Sequence, residues 1–272
     1  MKIFQYYEKN SIHLGIIEKD IPIPIDFQGD MIEFITNKPT YSPMKEPLIP
    51  EKIKFAPPIT NPSKIVAIGL NYADHVRESK GETPESPLIF AKFPNSLIGN
   101  NERITWDINL AKKVDFEAEL AVIIGETIRK CTKSEAMDAI FGYTCANDVS
   151  ARDLQFGDGQ WVRGKSLDTF CPLGPWIVTK DEVQDPHALG IRCFLNGKLM
   201  QDSNTSMLIF KLPELISFIS NNFTLLPGDI ILTGTPHGVG AFRSPSVYMK
   251  NDDEVAVEIE NIGRLVNICR TT

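Results

Sequence analysis

The sequence predicts an α+β fold with a curled, barrel-like sheet, and a small N-terminal domain ahead of a larger one. Three observations carry this expectation. Short apolar runs bounded by turn residues recur at Ser63–Leu70 (SKIVAIGL), Leu88–Phe93 (LIFAKF), Val114–Gly125 (VDFEAELAVIIG) and Leu225–Gly240 (LLPGDIILTGTPHGVG). A long helical repeat shows in one place, Ser206–Ser220. Prolines at 39, 43, 47, 50, 57, 58 and 62 fix φ and remove backbone donors, which leaves an extended connection. A boundary near residue 60 therefore separates a small domain with its linker, 1–60, from a larger domain, 61–272.

Composition bounds the function classes. Of 272 residues, 42% are apolar and 23% charged, enough for a core and little disorder. The net charge of -7 and the lack of any lysine or arginine run exclude a nucleic-acid footprint. An anionic ligand must be captured by local positive charge, because the field of the whole protein opposes it. Five widely spaced cysteines with no C-x-x-C pair fit reduced thiols better than disulfides or zinc. The start, MKIFQYYEKN, has no signal-peptide core, and no apolar run approaches the roughly 20 residues that cross a bilayer. A cytoplasmic protein with no membrane partner is expected.

Along the chain, Ile3–Phe4 and Ile12–Ile17 suggest small strands, and Met31–Thr36 a short helix. After the strand 63–70 comes NYADHVRE, one helical turn, and then SKGETPESP, a polar loop of the length that is functional or disordered. Lys133–Ile140 has helical character, and Phe141–Ala146 re-enters the sheet to deliver Asn147 and Asp148 at its end. Pro213 interrupts the 206–220 repeat and sets a helix start near Leu212. Residues Val255–Ile268 alternate as a hairpin around Asn261 and Gly263.

The chemistry-bearing residues start with D-x-E-x-E at Asp115, Glu117 and Glu119. Residues i and i+2 of a strand share a face, so Glu117 and Glu119 project together. Adjacent carboxylates raise each other's pKa. A divalent cation would relieve this; a water-facing acidic edge would need none. His75 and Glu78, three apart, share a helical face, where a carboxylate makes an imidazole a better base; an accidental surface pair has the same spacing. In NDVSARDLQ, Asp148 is a third carboxylate, and Arg152 with Gln155 could bind a ligand carboxylate, or Arg152 could pair with Asp153. Lys165, in the apolar setting of GKSLDTF, could meet negative charge growing on an enolate. GQWVRGKS is no phosphate loop, because Trp161, Val162 and Arg163 stand where small residues must wrap a phosphate. The glycines around Thr235 in TGTPHGVG allow close backbone approach to an anion, or simply a tight turn.

In order, GLNYADHVRE, VDFEAELAVIIG, NDVSARDLQ, QWVRGKSLDTFCPLGP and LLPGDIILTGTPHGVG resemble the signature segments of the fumarylacetoacetate hydrolase family over roughly residues 64–268. The resemblance implies Glu117, Glu119 and Asp148 as ligands of Mg²⁺ or Mn²⁺, and His75 and Glu78 as a water-activating dyad on a lid. It implies Lys165 as the catalytic lysine, Arg152, Gln155 and Thr235 as substrate-binding residues, a fold of layered mixed β-sheets forming a barrel-like roll, and a homodimer. The expected substrate is a 2-oxo acid. The first expectation is hydrolysis of an acylpyruvate to pyruvate and a carboxylic acid, with the His75–Glu78 pair activating water and Lys165 meeting the enolate. Alternatives are decarboxylation of oxaloacetate, isomerisation or hydration of an unsaturated 2-oxo acid, and binding of a keto acid without catalysis.

Overall fold

The apolar alternation at the start of the chain becomes an antiparallel hairpin, Lys2–Glu8 against Ser11–Glu18, with Ile3 opposite Ile16, in the computed structural model, which describes residues 1–9 and 11–272. That hairpin and Ile21–Pro24 form one end of a ten-stranded sheet. The sheet continues through Cys171–Thr179, Ile140–Asn147, Ala118–Ile124, Ile230–Leu232 and Ile65–Gly69 to Leu88–Lys92. Leu97–Ile98 pairs beside Cys171–Thr179. Pairing is antiparallel except for Ile230–Leu232 with Ile65–Gly69 and Leu97–Ile98 with Cys171–Thr179, so the sheet is mixed.

A second sheet of five strands runs Lys198–Asn204, Gly190–Leu195, Glu254–Ile259, Gly263–Thr271, Arg103–Trp106. Between the two sheets Ala118, Leu120, Val122 and Ile124 meet Ile191, Cys193, Val257, Ile259 and Leu265 in one buried cluster. On the other face of the same strand Ala121 and Ile123 join Ile3, Leu14, Met31, Phe34, Ile35, Ile65 and Ile230 in a second. The strand Ala118–Ile124 is buried at every residue because both of its faces are covered. Each large aliphatic side chain so buried contributes on the order of 1.5–3 kcal/mol. The α+β class and layered mixed sheets are as expected. Neither larger sheet closes on itself, so the roll consists of stacking and curvature, without a barrel. Residues 1–60 extend the large sheet through Lys2 and Ile3 opposite Val178 and Ile177, and share its core.

Several elements depart from expectation for local reasons. Val114–Gly125 divides into Val114–Asp115, paired with Ser150–Ala151, and Ala118–Ile124; between them the Glu117 N–H donates to Asn147 Oδ1 (2.9 Å) instead of a ladder carbonyl. The helix expected over 133–140 is only Lys133–Ala136, opened by a capping box between Thr132 and Glu135. The helix Leu212–Asn222 starts where Pro213 demands. NYADHVRE forms the helix Ala73–Ser79, ended by Lys80 in the left-handed region. Among the described residues no helix is long and apolar enough to cross a membrane, and all five cysteines are buried and unpaired.

Candidate active site

Three side chains from the middle of the large sheet converge. Asn147 lies opposite Ala118 in the ladder, and the Asp148 N–H donates to Glu117 O (2.9 Å), so the register itself brings Asp148 beside Glu117. One carboxylate oxygen from each of Glu117, Glu119 and Asp148 lies within 4.8 Å of the others, and all three residues are buried. Oxygens gripping one divalent ion from different sides stand up to about 4–5 Å apart, so the spacing suits a shared cation.

Charge balance supports the fit. Lys165 Nζ bridges Glu117 Oε2 and Asp148 Oδ2 at 2.7 Å each. Lys92 Nζ, also buried, holds Asp148 Oδ1 at 2.6 Å and donates to the Lys165 carbonyl. Arg152 Nη2 reaches Glu117 Oε1 (2.7 Å) and Asp115 Oδ2 (2.9 Å). Asp115, Glu117, Asp148 and Glu119 thus face three cations; among the described residues Glu119 has no ion-pair partner, and its Oε2 accepts the Gly234 N–H at 2.7 Å. Burial, then the Asp148 and Glu117 charges, push the Glu119 pKa well above the carboxylate range. At Glu117 burial acts the same way, but the Lys165 and Arg152 charges outweigh it and hold the pKa to about 2. Burial disfavours the Lys165 ammonium, yet the Asp148 and Glu117 carboxylates raise its pKa above the ordinary lysine value. A surplus buried carboxylate among hard oxygen donors is the environment a divalent cation relieves.

The helix Ala73–Ser79, expected as the lid, places His75 on the cavity that Glu117 and Glu119 line. His75 Nδ1 is 3.4 Å from Glu78 Oε2, a long contact between the expected partners. Glu78 also accepts the Gly238 N–H at 3.0 Å on both oxygens. Burial favours the neutral acid at Glu78, but these hydrogen bonds prevail and lower its pKa. The turn after Ile230–Leu232 therefore meets both parts of the site, Gly234 at Glu119 and Gly238 at Glu78. Both glycines have positive φ (102° and 95°), and a Cβ on Gly238 would lie 2.4 Å from Met200 O.

His75, Glu117, Glu119, Arg152, Gln155, Lys165 and Thr235 line one cavity of about 80 Å³, walled by Phe90, Trp161, Phe156 and Phe242. Asp148 sits behind it, in contact with Lys165. Arg152 pairs with Asp115 and Glu117, and its Nη1 donates to Gln155 Oε1 (3.0 Å), whereas Asp153 accepts the Lys112 N–H. Thr235 Oγ1 accepts from Gln201 Nε2 (2.9 Å). A larger cavity of about 570 Å³ lies near Met1, Phe34 and Phe141, where the charges pair with one another, Lys38 with Glu126 and the N-terminus with Glu182.

Lys92 and Gln201 were not singled out from the sequence, and Asp115 was named there as the first acid of D-x-E-x-E without a role in the site. Asp115 shares the parity of Glu117 and Glu119, which was a usable signal. Lys92 closes the apolar strand Leu88–Lys92 in phase with Phe90, a weaker one.

Paired buried carboxylates, a buried lysine between them and a histidine–glutamate pair above, set on layered mixed sheets, define a metal-capable acid–base site of the enzyme kind. The fumarylacetoacetate (FAA) hydrolase C-terminal family matches residues 64–270, and the chain belongs to that family. It is 50% identical over 224 residues to "Oxaloacetate tautomerase FAHD2B, mitochondrial" of Bos taurus, covering 81% of this chain and 71% of that one. It is 46% identical over 224 residues to human "Oxaloacetate tautomerase FAHD2A, mitochondrial", with the same coverage. Among solved structures, the fumarylacetoacetate hydrolase of Exiguobacterium antarcticum superposes with a TM-score of 0.90 at 33% identity, over 100% of both chains. The 2-hydroxyhepta-2,4-diene-1,7-dioate isomerase of Mycobacterium marinum gives 0.84 at 35%, over 100% of this chain and 99% of that one.

Proposed function

We propose that the protein interconverts the keto and enol forms of a short 2-oxo acid, with oxaloacetate as the leading substrate. The observation that carries this is the Lys165 ammonium, buried between two carboxylates in the same small cavity as the His75–Glu78 pair. A base and a fixed cation facing one small space are what proton transfer next to a ketone requires. The names of the relatives at 46–50% identity agree with it.

Glu117, Glu119 and Asp148 would hold Mg²⁺ or Mn²⁺, which when bound polarises a keto oxygen and favours negative charge there. Glu78 accepts from His75 Nδ1 and leaves Nε2 as the base. His75 takes a proton from C3, the C–H pair becomes the C2–C3 double bond, and the Lys165 ammonium meets the charge that grows on the C2 oxygen. Delivery of that proton from His75 to the oxygen gives the enol, and its return to C3 gives the ketone. Arg152, Gln155 and Thr235 line the space for the substrate carboxylate, and closure of the lid excludes water.

Hydrolysis of an acylpyruvate is the second reading, and the mouth of the cavity favours it. Phe156 and Phe242 are 61% and 42% exposed there, an apolar rim suited to an acyl tail. In that reading the His75–Glu78 pair activates water. The deciding assay offers purified protein Mg²⁺ or Mn²⁺ with enol-oxaloacetate, following loss of the enol absorbance, and separately with acylpyruvates, following pyruvate. Enol loss that is metal-dependent and abolished in His75→Ala supports the first reading; pyruvate release without enol turnover replaces it with the second. The homodimer expected from the family and a cytoplasmic setting, in keeping with five unpaired buried thiols, belong to the same proposal.

A further inference from the structure

We propose that Asp115 is a positioning residue that holds two parts of the site at once: the Arg152 guanidinium against Glu117, and the turn on which the lid rests. This builds on the reading above for what the site does, but not for which 2-oxo acid it takes.

Asp115 is fully buried and uses both oxygens. Oδ2 accepts from Arg152 Nε (2.9 Å) and from the Ala241 N–H (3.0 Å), and lies 2.9 Å from Arg152 Nη2. Oδ1 accepts from the Gly240 N–H (2.8 Å) and the Phe116 N–H (2.9 Å). The turn sits directly on this carboxylate: a Cβ on Gly240 would fall 1.8 Å from Val247 O and 2.6 Å from Asp115 Oδ1. Beyond this contact the turn meets the lid, with Gly238 N–H on Glu78 and the Phe242 ring 5.6 Å from the His75 ring. Arg152 carries the effect the other way, to Glu117 Oε1 at 2.7 Å.

Two effects follow from removing the charge. Arg152 keeps Glu117 as its remaining anion and competes harder for an oxygen the cation needs, while the negative charge around the site falls by one. The amides of Gly240 and Ala241 lose a charged acceptor, so the turn and the lid docked on it loosen.

The test uses the whole protein stripped of metal. Mn²⁺ affinity is read from the paramagnetic resonance of free Mn²⁺, and lid order from hydrogen exchange over residues 73–79; neither needs a substrate. Asp115→Asn is expected to weaken Mn²⁺ binding by about tenfold or more and to speed lid exchange, with the thermal transition still cooperative. Asp153→Asn, at a residue whose Oδ2 accepts the Lys112 N–H, is the control and should change neither. A folded Asp115→Asn protein with unaltered Mn²⁺ affinity and unaltered lid exchange overturns the proposal. Should that variant not fold, Ala241→Pro decides, because it removes only the donor to Oδ2 at the first turn of a short 3₁₀ helix, where proline is tolerated. Faster lid exchange with unchanged Mn²⁺ affinity is then required, and wild-type lid exchange overturns the proposal. Lack of Mn²⁺ binding by the unaltered protein would count against the metal reading, and the lid measurements would still decide this one.

Discussion

Glu119 is the residue whose surroundings make the sharpest demand. Its folded pKa lies well above the unfolded value, so the folded metal-free protein holds this proton more tightly than the unfolded chain. That contribution to stability is present at low pH and is lost as pH rises through the raised pKa. Glu117 behaves oppositely: with its pKa near 2, its contribution is present above about pH 4.5 and is lost as pH falls towards 2. The thermal midpoint of EDTA-treated protein should therefore decline as pH rises above the ordinary glutamate range, with Mg²⁺ or Mn²⁺ restoring most at the upper end; a metal-induced shift independent of pH would contradict this. Lys165→Ala removes the cation shared by Glu117 and Asp148, which keep Arg152 and Lys92, and denaturant titration of the metal-free variant should show a loss of about 1–3 kcal/mol. His75→Gln should lower kcat by about 10²–10⁴ while Mn²⁺ affinity stays as in the parent, because His75 bonds none of the three acids. At this scale the strand parity of Glu117 and Glu119 was legible, and so was the spacing of His75 and Glu78. Lys92 was not, because a lysine ending an apolar strand has the pattern of a surface residue until Asp148 is seen 2.6 Å away.

At the scale of elements, the lid helix and the glycine turn act as a pair. Seven residues make too short a helix to persist alone in water, so Ala73–Ser79 depends on what it touches. Gly238→Ala, at φ 95° and with Met200 O 2.4 Å from the new Cβ, should displace the turn, raise KM and speed exchange over 73–79, with Mn²⁺ binding preserved. Equal loss of metal affinity would show that the turn supports the acids as well. The polar stretch SKGETPESP gave notice of a loop, but which partner the preceding helix would find was written elsewhere in the chain, at Gly238. The break in the acidic strand was hidden for a similar reason, since the Asn147 side chain that takes the Glu117 N–H lies 30 residues on. The 133–140 helix ended early because Ile140 already opens the strand Ile140–Asn147, although the Thr132–Glu135 box that starts it was readable.

For the whole molecule, the α+β class followed from many short apolar runs and one long helical repeat, whereas the order of the strands did not. Sequence periodicity reports which faces are buried, and pairing across more than a hundred residues leaves no local mark. Lys2 opposite Val178 is such a case. Because Ile3, Leu14, Met31 and Phe34 share a cluster with Ala121, Ile123 and Ile230, a chain shortened to 61–272 should lose its cooperative thermal transition. A sharp transition in that fragment would show that the first 60 residues are dispensable to the core. The ladder between Ala118–Ile124 and Ile140–Asn147 has a further consequence. A slip of one residue there would turn Glu117 and Glu119 to the opposite side, so the reacting groups are locked to the phase of a pleat. Loops over such an anvil can be exchanged to suit new substrates, while insertions between residues 117 and 148 must leave that phase untouched.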